Sequence, residues 1–453
     1  MKRRDFVKKS IITASIGATL PSLFSCKEDE INYAGKVAII GAGASGMYTA
    51  YLLQKKKVSF DIFEASNRHG GRIKHDPNFA DFPIELGAEE VHGQRSIYFD
   101  ILSQNGATLK EDNTSESYYQ FGTLLKSETE LDSDPIMNKA WDLEDRFADF
   151  TGTDISVQQW INNNGIDNKA KPYLNAVLAN ENGTSTNRLS IAGIAEADYN
   201  WSAGNKNFLL QGQAILPILE KKFKDILSFI KLNTPITTIN YSGNQVKLTD
   251  LSGKEYLYDK VFLTIPITQY KKNKIIFNPT LPPEKIEGFS KLGMDTGMKI
   301  ILKFNKRFWN TNMGSLYGNG YVPEWWATGY GRSLSNNILT SFVMGEKAEY
   351  LSQQGSNATN IVLGELDQIF GKNLATSNFV GSIIQDWSKV QYIEGAYSYP
   401  LVGGVGAREK IIKPLNGKLF FGGEAFNTTG HHATVHGALE SAERIVSEFV
   451  KSL

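Results

Sequence analysis

Cysteine is almost absent from this chain, which contains one in 453 residues, Cys26. A single cysteine excludes an internal disulfide bond. An excess of charge of one sign is absent too, because 48 Lys and Arg residues balance 48 Asp and Glu residues. Without a basic surplus the chain lacks the electrostatic signature of a nucleic-acid-binding protein, so no nucleic-acid partner is predicted.

Apolar residues do not dominate the composition, since 41% of residues are hydrophobic and 21% are charged. These proportions are typical of a globular protein and exclude multi-span membrane, collagen-like and disordered classes. The length exceeds what one compact core usually spans, so we expect two intergrown domains.

The first 25 residues have the pattern of an export signal. A basic segment at residues 2–9 contains the pair Arg3 and Arg4, and an apolar run follows at residues 11–24. The run is too short to cross a bilayer as a transmembrane helix. The order of these segments resembles a twin-arginine signal, which predicts export of a folded protein.

Cys26 stands where the apolar run ends, after Leu23, Phe24 and Ser25. These four residues resemble a lipobox, in which the cysteine is lipidated and becomes the new first residue. We therefore predict a lipid anchor at Cys26, a tether over residues 26–34, and a membrane-anchored lipoprotein on the periplasmic or cell-surface side. The alternative is a free thiol near a cleavage site.

The folded part begins with the elements of a dinucleotide-binding site. An apolar strand at residues 36–40 leads into the glycine-rich turn GAGASG at 41–46, then a helix, then a second strand that ends at Glu64. Gly41 would allow the tight turn, Gly43 the approach of a pyrophosphate, and Gly46 close packing of helix on strand. Glu64 would accept hydrogen bonds from a ribose.

Four further blocks follow, RHGGR at 68–72, ELGAEEVHG at 85–93, FFGGE at 420–424 and ATVHGALES at 433–441. In this order they resemble the flavin-containing amine oxidase family, which includes monoamine oxidases, polyamine oxidases and flavin-type histone demethylases. The resemblance runs from about residue 35 to the C-terminus, with a poorly matched stretch at 96–205. It implies an α/β, two-domain FAD-binding fold of the glutathione-reductase-like type, with an α+β substrate domain.

The resemblance also implies how the chain is divided. The FAD-binding domain is expected to be discontinuous, built from residues 35–95, 205–265 and 395–453. The substrate-binding domain would take residues 96–204 and 266–394.

The predicted FAD contacts combine the glycine-rich turn with the family blocks. By resemblance Arg72 lies near the flavin, Glu424 near the ribityl or phosphate region, Ile236 at the adenine, and Trp387 in the segment that covers the flavin. The residues predicted to contact FAD are Gly41, Gly43, Ala44, Ser45, Gly46, Glu64, Ala65, Arg68, Gly71, Arg72, Gly87, Ala88, Glu89, Ile236, Trp387, Gly423, Glu424, Thr434 and Val435.

The cofactor is predicted to be held without a covalent bond. Monoamine oxidases carry a cysteine that bonds to FAD in the segment where this chain has Ala396. Since no cysteine stands elsewhere in the folded part, the FAD should dissociate.

Three residues are predicted to be catalytic by the same resemblance. Lys299 corresponds to the lysine that holds a water at flavin N5, where its charge would favour oxygen activation. An exposed strand lysine is the alternative, and Lys303 fits it better. Tyr397 corresponds to one wall of the aromatic cage that orients the amine, with plain core packing as its alternative. Thr434 replaces the other aromatic wall, so the site is more similar to the polyamine oxidase and demethylase branch.

Substrate-binding candidates come from two histidine-containing windows, which the family geometry brings together. Glu90, His92 and His431, with Glu89 beside them, could recognise an ammonium group, although a polar loop is the better interpretation for each of the two carboxylates alone. His432 and His436 have helical metal-ligand spacing, but the sequence offers no third ligand, so no metal is predicted.

The sequence therefore predicts an FAD-dependent amine oxidase that acts on a small-molecule amine. Hydride would pass from the amine α-carbon to flavin N5, and oxygen would reoxidise the flavin to give H2O2 and an imine. An L-amino-acid oxidase, with Arg95 as the candidate carboxylate ligand, or another FAD oxidoreductase such as a desaturase remains open. So do a non-catalytic surface-binding lipoprotein and a structural lipoprotein without flavin. Neither the particular amine nor the oligomeric state follows from the sequence.

Overall fold

The computed structural model describes residues 30–112, 116–329 and 337–453. The predicted export signal at residues 1–25 and the predicted lipidation site, Cys26, lie outside the described residues. Among the residues that are described, no helix combines the length and apolar character needed to cross a membrane.

A five-stranded parallel sheet, the nucleotide sheet, forms the centre of one half of the molecule. Its strands are, in spatial order, Ile230–Lys231, Ser59–Phe63, Lys36–Ile40, Lys260–Leu263 and Leu419–Phe421. Residues 37–40 are at most 4% exposed, because a parallel sheet is covered on both faces and its strands are apolar throughout.

Each face of the nucleotide sheet packs on a different layer. On one face, Ile39 and Phe262 share a core with the helices Ala44–Lys55 and Val435–Lys451. On the other face, Ala38 and Ile40 pack against a four-stranded sheet. That sheet contains, in spatial order, Glu255–Tyr258, Val246–Asp250, Ile236–Asn240 and Ile276–Asn278.

A seven-stranded sheet, the substrate sheet, forms the other half. Its strands are, in spatial order, Phe379–Asp386, Gly297–Phe304, Ile338–Met344, Glu324–Ala327, Met313–Tyr317, Glu116–Phe121 and Leu124–Ser127. Neighbouring strands are antiparallel except for the parallel pair of Met313–Tyr317 with Glu116–Phe121.

The strand Gly297–Phe304 is covered on both faces. Ile300 and Leu302 belong to the core beneath the substrate sheet. Ile301, on the opposite face, packs with Ile84 and Leu86 from the nucleotide half. Because side chains alternate along a strand, Lys299 lies on the same face as Ile301. The segment that carries Ile84 and Leu86 covers it.

The remaining strands are short. One sheet joins Val91–His92, Asn207–Leu210 and Leu109–Glu111, and two pairs join His75–Asp76 with Ile84–Glu85 and Leu292–Gly293 with Tyr399–Pro400. The α-helices are Ala44–Lys55, Ile97–Gln104, Glu128–Leu131, Pro135–Asp145, Val157–Asn163, Lys171–Leu174, Ile191–Tyr199, Ile215–Lys222, Ile267–Lys271, Pro283–Ser290, Gly345–Gln353, Ala358–Phe370, Leu374–Asn378, Ala407–Ile412 and Val435–Lys451. A π-helical segment covers Asn175–Asn180.

The predicted α/β class is confirmed, but two domain boundaries fall elsewhere than predicted. The helix Ile97–Gln104 packs in the core of the nucleotide sheet, although residues 96–204 were predicted to belong to the substrate domain. The strand Ile276–Asn278 pairs with Ile236–Asn240, beyond the predicted boundary at 265. The helix remains in the first domain because Tyr98, Ile101 and Leu102 are buried there. The strand remains there because it is hydrogen-bonded to Ile236–Asn240.

Candidate active site

A continuous cavity of about 1400 Å³ extends from the glycine-rich turn to the substrate sheet. Every predicted FAD contact except Gly46 lines it, and so do Lys299, Tyr397, Glu90 and His92. Residues from the three separated sequence pieces therefore meet around one space, as a cofactor and substrate that react with each other require.

The glycine-rich turn leaves room for a phosphate at one position. Gly41 has a φ of +101°, which a residue with a side chain rarely adopts. A Cβ on Gly46 would lie 1.9 Å from the Gly41 carbonyl oxygen, so Gly46 packs behind the turn and does not face the cavity. A Cβ on Gly43 would meet nothing within 4 Å. This open space, beside the first turn of a helix, suits the pyrophosphate of a dinucleotide.

Glu64 is fixed at the cavity wall by its own neighbours. Its carboxylate accepts hydrogen bonds from the Ala42 amide at 2.8 Å and from the Ser66 amide at 2.9 Å. The Thr234 amide donates to the Glu64 carbonyl oxygen at 2.9 Å. Thr234 lies two residues before Ile236, which is predicted to contact the adenine. Glu64, which is predicted to bind a ribose, therefore lies where the segment 205–265 contacts the segment 35–95.

Arg68 lines the cavity with its N–H groups already engaged. Its guanidinium donates to the carbonyl oxygens of His69 at 3.0 Å and Ile73 at 3.2 Å, and also to that of Gly71. Burial lowers the pKa of Arg68 below its usual value. The side chain lines the cavity, but its N–H groups bind three carbonyl oxygens of the loop at 69–73. A bound cofactor would have to compete with these oxygens for the same N–H groups.

Arg72 links the first predicted FAD-binding segment, 35–95, to the last, 395–453, through hydrogen bonds. It donates to Glu424 Oε1 at 2.9 Å and to the Ala396 carbonyl oxygen at 2.7 Å. Glu424 also accepts from the Ser398 hydroxyl at 2.7 Å and the Ala433 amide at 3.0 Å. Burial opposes ionisation of Glu424, but Arg72 and Ser398 outweigh it and hold the pKa of this carboxyl below its usual value.

Removing Arg72 should therefore destabilise the cofactor-free protein. We expect Arg72→Met to lower the free energy of unfolding by about 3 kcal/mol near neutral pH, since it removes the ion-pair partner of a buried carboxylate and leaves only the more weakly acting Arg408 as a counter-charge. Ionised Glu424 stabilises the parent fold above the ordinary carboxyl pKa, and this contribution is lost as pH falls through the lowered value. The difference between variant and parent should thus shrink in acid.

Urea unfolding at neutral and acidic pH measures both effects. Lys272→Met is the matched control, because Lys272 pairs with Glu394 while its own side chain is 48% exposed, and such pairs contribute about 0–1 kcal/mol. Equal losses in the two variants would contradict a buried Arg72–Glu424 pair that stabilises the fold.

Lys299 is buried at 4% exposure and faces the cavity. Its Nζ donates to Glu89 Oε2 at 2.8 Å and to the Glu85 carbonyl oxygen at 3.2 Å. The ammonium also lies 5.1 Å from the ring centre of Trp326, within range of a cation–π interaction. Lys303 instead donates to the Phe79 carbonyl oxygen. Glu89 was predicted as an FAD contact, and its role as the partner of Lys299 was missed.

Tyr397 and Thr434 both line the cavity, with their hydroxyls engaged by the protein. Tyr397 Oη donates to the Glu181 carbonyl oxygen at 2.7 Å, and burial raises the pKa of this tyrosine well above its usual value. Thr434 caps the C-terminal helix, accepting from the Gly437 amide at 2.9 Å. The ring of Tyr397 and the small volume of Thr434 therefore shape the cavity, while their hydroxyls are held by the fold.

Carboxylates that the sequence analysis did not single out also face the cavity. They include Glu144, Glu181 and Glu324, which join the predicted Glu90; Asp112, Asp198 and Glu394 line the cavity as well. Burial, followed by the nearby charge of Glu181, raises the pKa of Glu324 to about 8. Burial likewise raises the pKa of Glu144 to about 7. Glu144 and Glu181 lie in the poorly matched stretch at 96–205, and Glu324 lies outside it in the strand Glu324–Ala327. None of the three belongs to a local motif, so the sequence did not reveal them.

His431 was predicted to bind substrate, but it does not line the cavity. It is 3% exposed, and its Nδ1 lies 2.8 Å from Glu440 while its Nε2 accepts from the Ser202 amide at 3.1 Å. His432 lines the cavity in its place, and burial lowers its pKa well below the usual value. Among residues 30–112, 116–329 and 337–453, no three His, Cys, Asp or Glu side chains form a metal-binding group.

Two conserved-domain models match the chain. Residues 194–448 match the family described as flavin containing amine oxidoreductase, and residues 39–103 match the NAD(P)-binding Rossmann-like domain. The first match covers more than half of the chain and includes Lys299, Tyr397 and the C-terminal blocks.

The chain is similar to histone demethylases and to polyamine oxidases. The chain is 26% identical over 450 residues to human lysine-specific histone demethylase 2, covering 91% of this chain and 53% of that protein. It is 27% identical over 439 residues to probable polyamine oxidase 4 of Arabidopsis thaliana, covering 90% and 85%. The chain thus spans about half the length of the demethylases that it matches.

Solved structures share the fold at low identity. Putrescine oxidase bound to putrescine superimposes with a TM-score of 0.75 at 20% identity, covering 92% of this chain and 99% of that one. Cyclohexylamine oxidase from Brevibacterium oxydans gives a TM-score of 0.76 at 18% identity with the same coverage.

Proposed function

This chain belongs to the flavin containing amine oxidoreductase family, and we propose that it oxidises an amine that carries a further ammonium group, using FAD held without a covalent bond. Family membership confirms the predicted FAD cofactor and the oxidoreductase class. When bound, FAD would accept hydride from the amine α-carbon and pass the electrons to oxygen to give H2O2. The imine product would then hydrolyse in water.

One observation carries the proposal: a single cavity joins the glycine-rich turn to Lys299 and Tyr397. The turn, Glu64 and Ile236 would hold the dinucleotide part of FAD. Lys299 would present an N–H donor at the reactive edge of the ring system. The Tyr397 ring would orient the amine.

The charge of the cavity wall indicates the class of amine. Glu90, Glu144, Glu181 and Glu324 all line the cavity. After burial, the charges of Glu181, Glu324 and Glu90 also help to raise the pKa of Tyr397, which associates them with the predicted amine-orienting ring. Several carboxylates in a partly dehydrated cavity repel one another and are costly to ionise. A ligand with a second positive charge relieves that cost, so a diamine or polyamine fits this wall better than a monoamine.

Glu324 should discriminate between the two kinds of substrate. We expect Glu324→Gln to lower kcat/KM for a linear diamine about tenfold, the equivalent of about 1.4 kcal/mol, with a smaller effect on a monoamine of equal length. Since only the ionised carboxylate attracts the distal ammonium, KM of the parent for the diamine should fall as pH rises towards about 8. The variant should lose this pH dependence.

Steady-state kinetics on both substrates across pH test this prediction. Glu365→Gln is the matched control, because burial also raises the pKa of Glu365 but its side chain does not line the cavity. A parallel fall for both substrates in Glu324→Gln would show that the carboxylate does not select the second charge.

An anaerobic screen for bleaching of the bound flavin tests the function itself. Diamines and polyamines should bleach it faster than monoamines, and amino acids should not. Arg95, the candidate for an amino-acid carboxylate, donates to the Ser202 carbonyl oxygen and is not among the cavity-lining residues. Failure of every amine to bleach the flavin would favour the non-catalytic binding lipoprotein.

The mode of FAD attachment has a direct test. Acid precipitation should release all of the yellow colour, because Ala396 offers no thiol for a covalent bond. Colour retained in the pellet would contradict a dissociable cofactor.

The export route and the anchor remain part of this proposal. The basic segment at residues 2–9, the apolar run and Cys26 support twin-arginine export followed by lipidation. Cell fractionation should find the parent protein with membranes and a Cys26→Ser variant in the soluble fraction. An unchanged membrane fraction would refute the anchor.

A further inference from the structure

Lys299 and Glu89 form a buried ion pair in the cavity wall. Nζ and Oε2 are 2.8 Å apart, and the two side chains are 5% and 9% exposed. An uncompensated ammonium at this depth is strongly unfavourable, because it loses its hydration without gaining a counter-charge. The carboxylate therefore allows a charged lysine to remain at this position.

The loop that carries Glu89 is held in place by hydrogen bonds on several sides. The Leu86 amide donates to the Lys74 carbonyl oxygen at 2.8 Å, and the Ala88 amide to the Arg72 carbonyl oxygen at 3.2 Å. The Trp387 indole donates to the Leu86 carbonyl oxygen at 3.0 Å. Because this loop is held by both halves of the molecule, Glu89 has a fixed position over the strand that carries Lys299.

We propose that Glu89 is a positioning residue that aims the Lys299 ammonium at the flavin and balances its charge. The inference rests on the proposed function, because that function places Lys299 at the reactive edge of the cofactor. As a pair, the two side chains present an N–H donor with no net charge. Without Glu89 the site gains a positive charge, which favours the reduced flavin because reduction adds electrons to the ring. Without Lys299 the site gains a negative charge, which opposes reduction.

Four proteins test the proposal: the parent, Glu89→Gln, Lys299→Met and the double variant. With each protein loaded with FAD and poised against a redox dye, the ratio of reduced to oxidised flavin is read from the spectrum. Glu89→Gln should raise this ratio at least about tenfold, about 30 mV for a two-electron couple. Lys299→Met should lower it. The double variant should return to within about threefold of the parent, because both charges are then absent.

Two further variants separate charge from structure. Glu89→Asp keeps the charge and should stay within about threefold of the parent ratio. Glu255→Gln removes a carboxylate that is 56% exposed, pairs with Lys247 and is not among the cavity-lining residues. Water screens a charge at that exposure, so its effect on the ratio should be less than about threefold.

Thermal unfolding of the cofactor-free proteins provides an independent readout of the pair. Each single variant should lower Tm, and the double variant should lower it by less than the sum. If the Tm changes are non-additive but the ratio of reduced to oxidised flavin stays the same, Glu89 is a purely structural residue. That result would overturn this inference and leave the proposed function standing. A parent protein that takes up no FAD, or whose FAD no amine bleaches, would overturn the proposed function first and this inference with it.

Discussion

A Lys299→Met variant should lose far more in its reoxidation by oxygen, about 100-fold, than in its reduction by the amine, the scale expected when one preorganised donor is removed from a reacting centre. The physical reason is local. Lys299 is buried beside the cavity with Nζ held by Glu89 and the Glu85 carbonyl oxygen. Methionine fills the same volume but offers neither charge nor an N–H donor. Stopped-flow absorbance separates the two half-reactions, with reduction followed anaerobically and reoxidation followed after mixing with oxygen.

Lys303→Met is the matched control for this effect. Lys303 lies on the same face of the same strand, but its ammonium donates to the Phe79 carbonyl oxygen. Reoxidation in this variant should stay within about threefold of the parent. If Lys299→Met reoxidises as fast as Lys303→Met, Lys299 has no part in the oxygen reaction.

A Gly43→Asp variant should keep the fold and lose FAD. Gly43 occupies the N-cap of the helix Ala44–Lys55, where aspartate is favoured, so the cofactor-free protein should be as stable as the parent or more so. A Cβ there points into open space. That space is where we expect the pyrophosphate, and two like charges about 4 Å apart repel by about 4 kcal/mol at an effective dielectric constant of about 20. The affinity for FAD should therefore fall about 1000-fold.

Gly43→Asn separates charge from size, because asparagine has nearly the same volume and is an equally good N-cap. Titration of the cofactor-free proteins with FAD, followed by flavin fluorescence, should show a far smaller loss for asparagine than for aspartate. Equal and undiminished FAD uptake by both variants would mean that the pyrophosphate does not approach this turn.

The cofactor end of the cavity was largely predictable from the sequence. The turn at 41–46 and Glu64 lie close together along the chain, and their spacing alone indicates a dinucleotide site. Gly43 and Glu64 both line the cavity. Arg68 shows the limit of such reasoning, because the motif placed it correctly but could not show that nearby carbonyl oxygens occupy its N–H groups.

The substrate end was much less predictable. His431 and His432 are adjacent in sequence, and only the packing of the C-terminal segment decides that His432 faces the cavity while His431 binds Glu440. Glu324 stands in a strand, in a stretch with no motif, and its orientation depends on the register of the substrate sheet. A shift of one residue would turn it to the opposite face.

By itself, the sequence determined that this protein has a dinucleotide-binding half, a family resemblance with flavin chemistry, and Ala396 where related oxidases carry a cysteine. These properties follow from residue types at short, fixed spacings. Only the tertiary structure decided which charges meet: Arg72 with Glu424, and Glu89 with Lys299. The members of each pair lie more than 200 residues apart, so their contact depends on how separate strands return to the same two sheets, which no local pattern specifies.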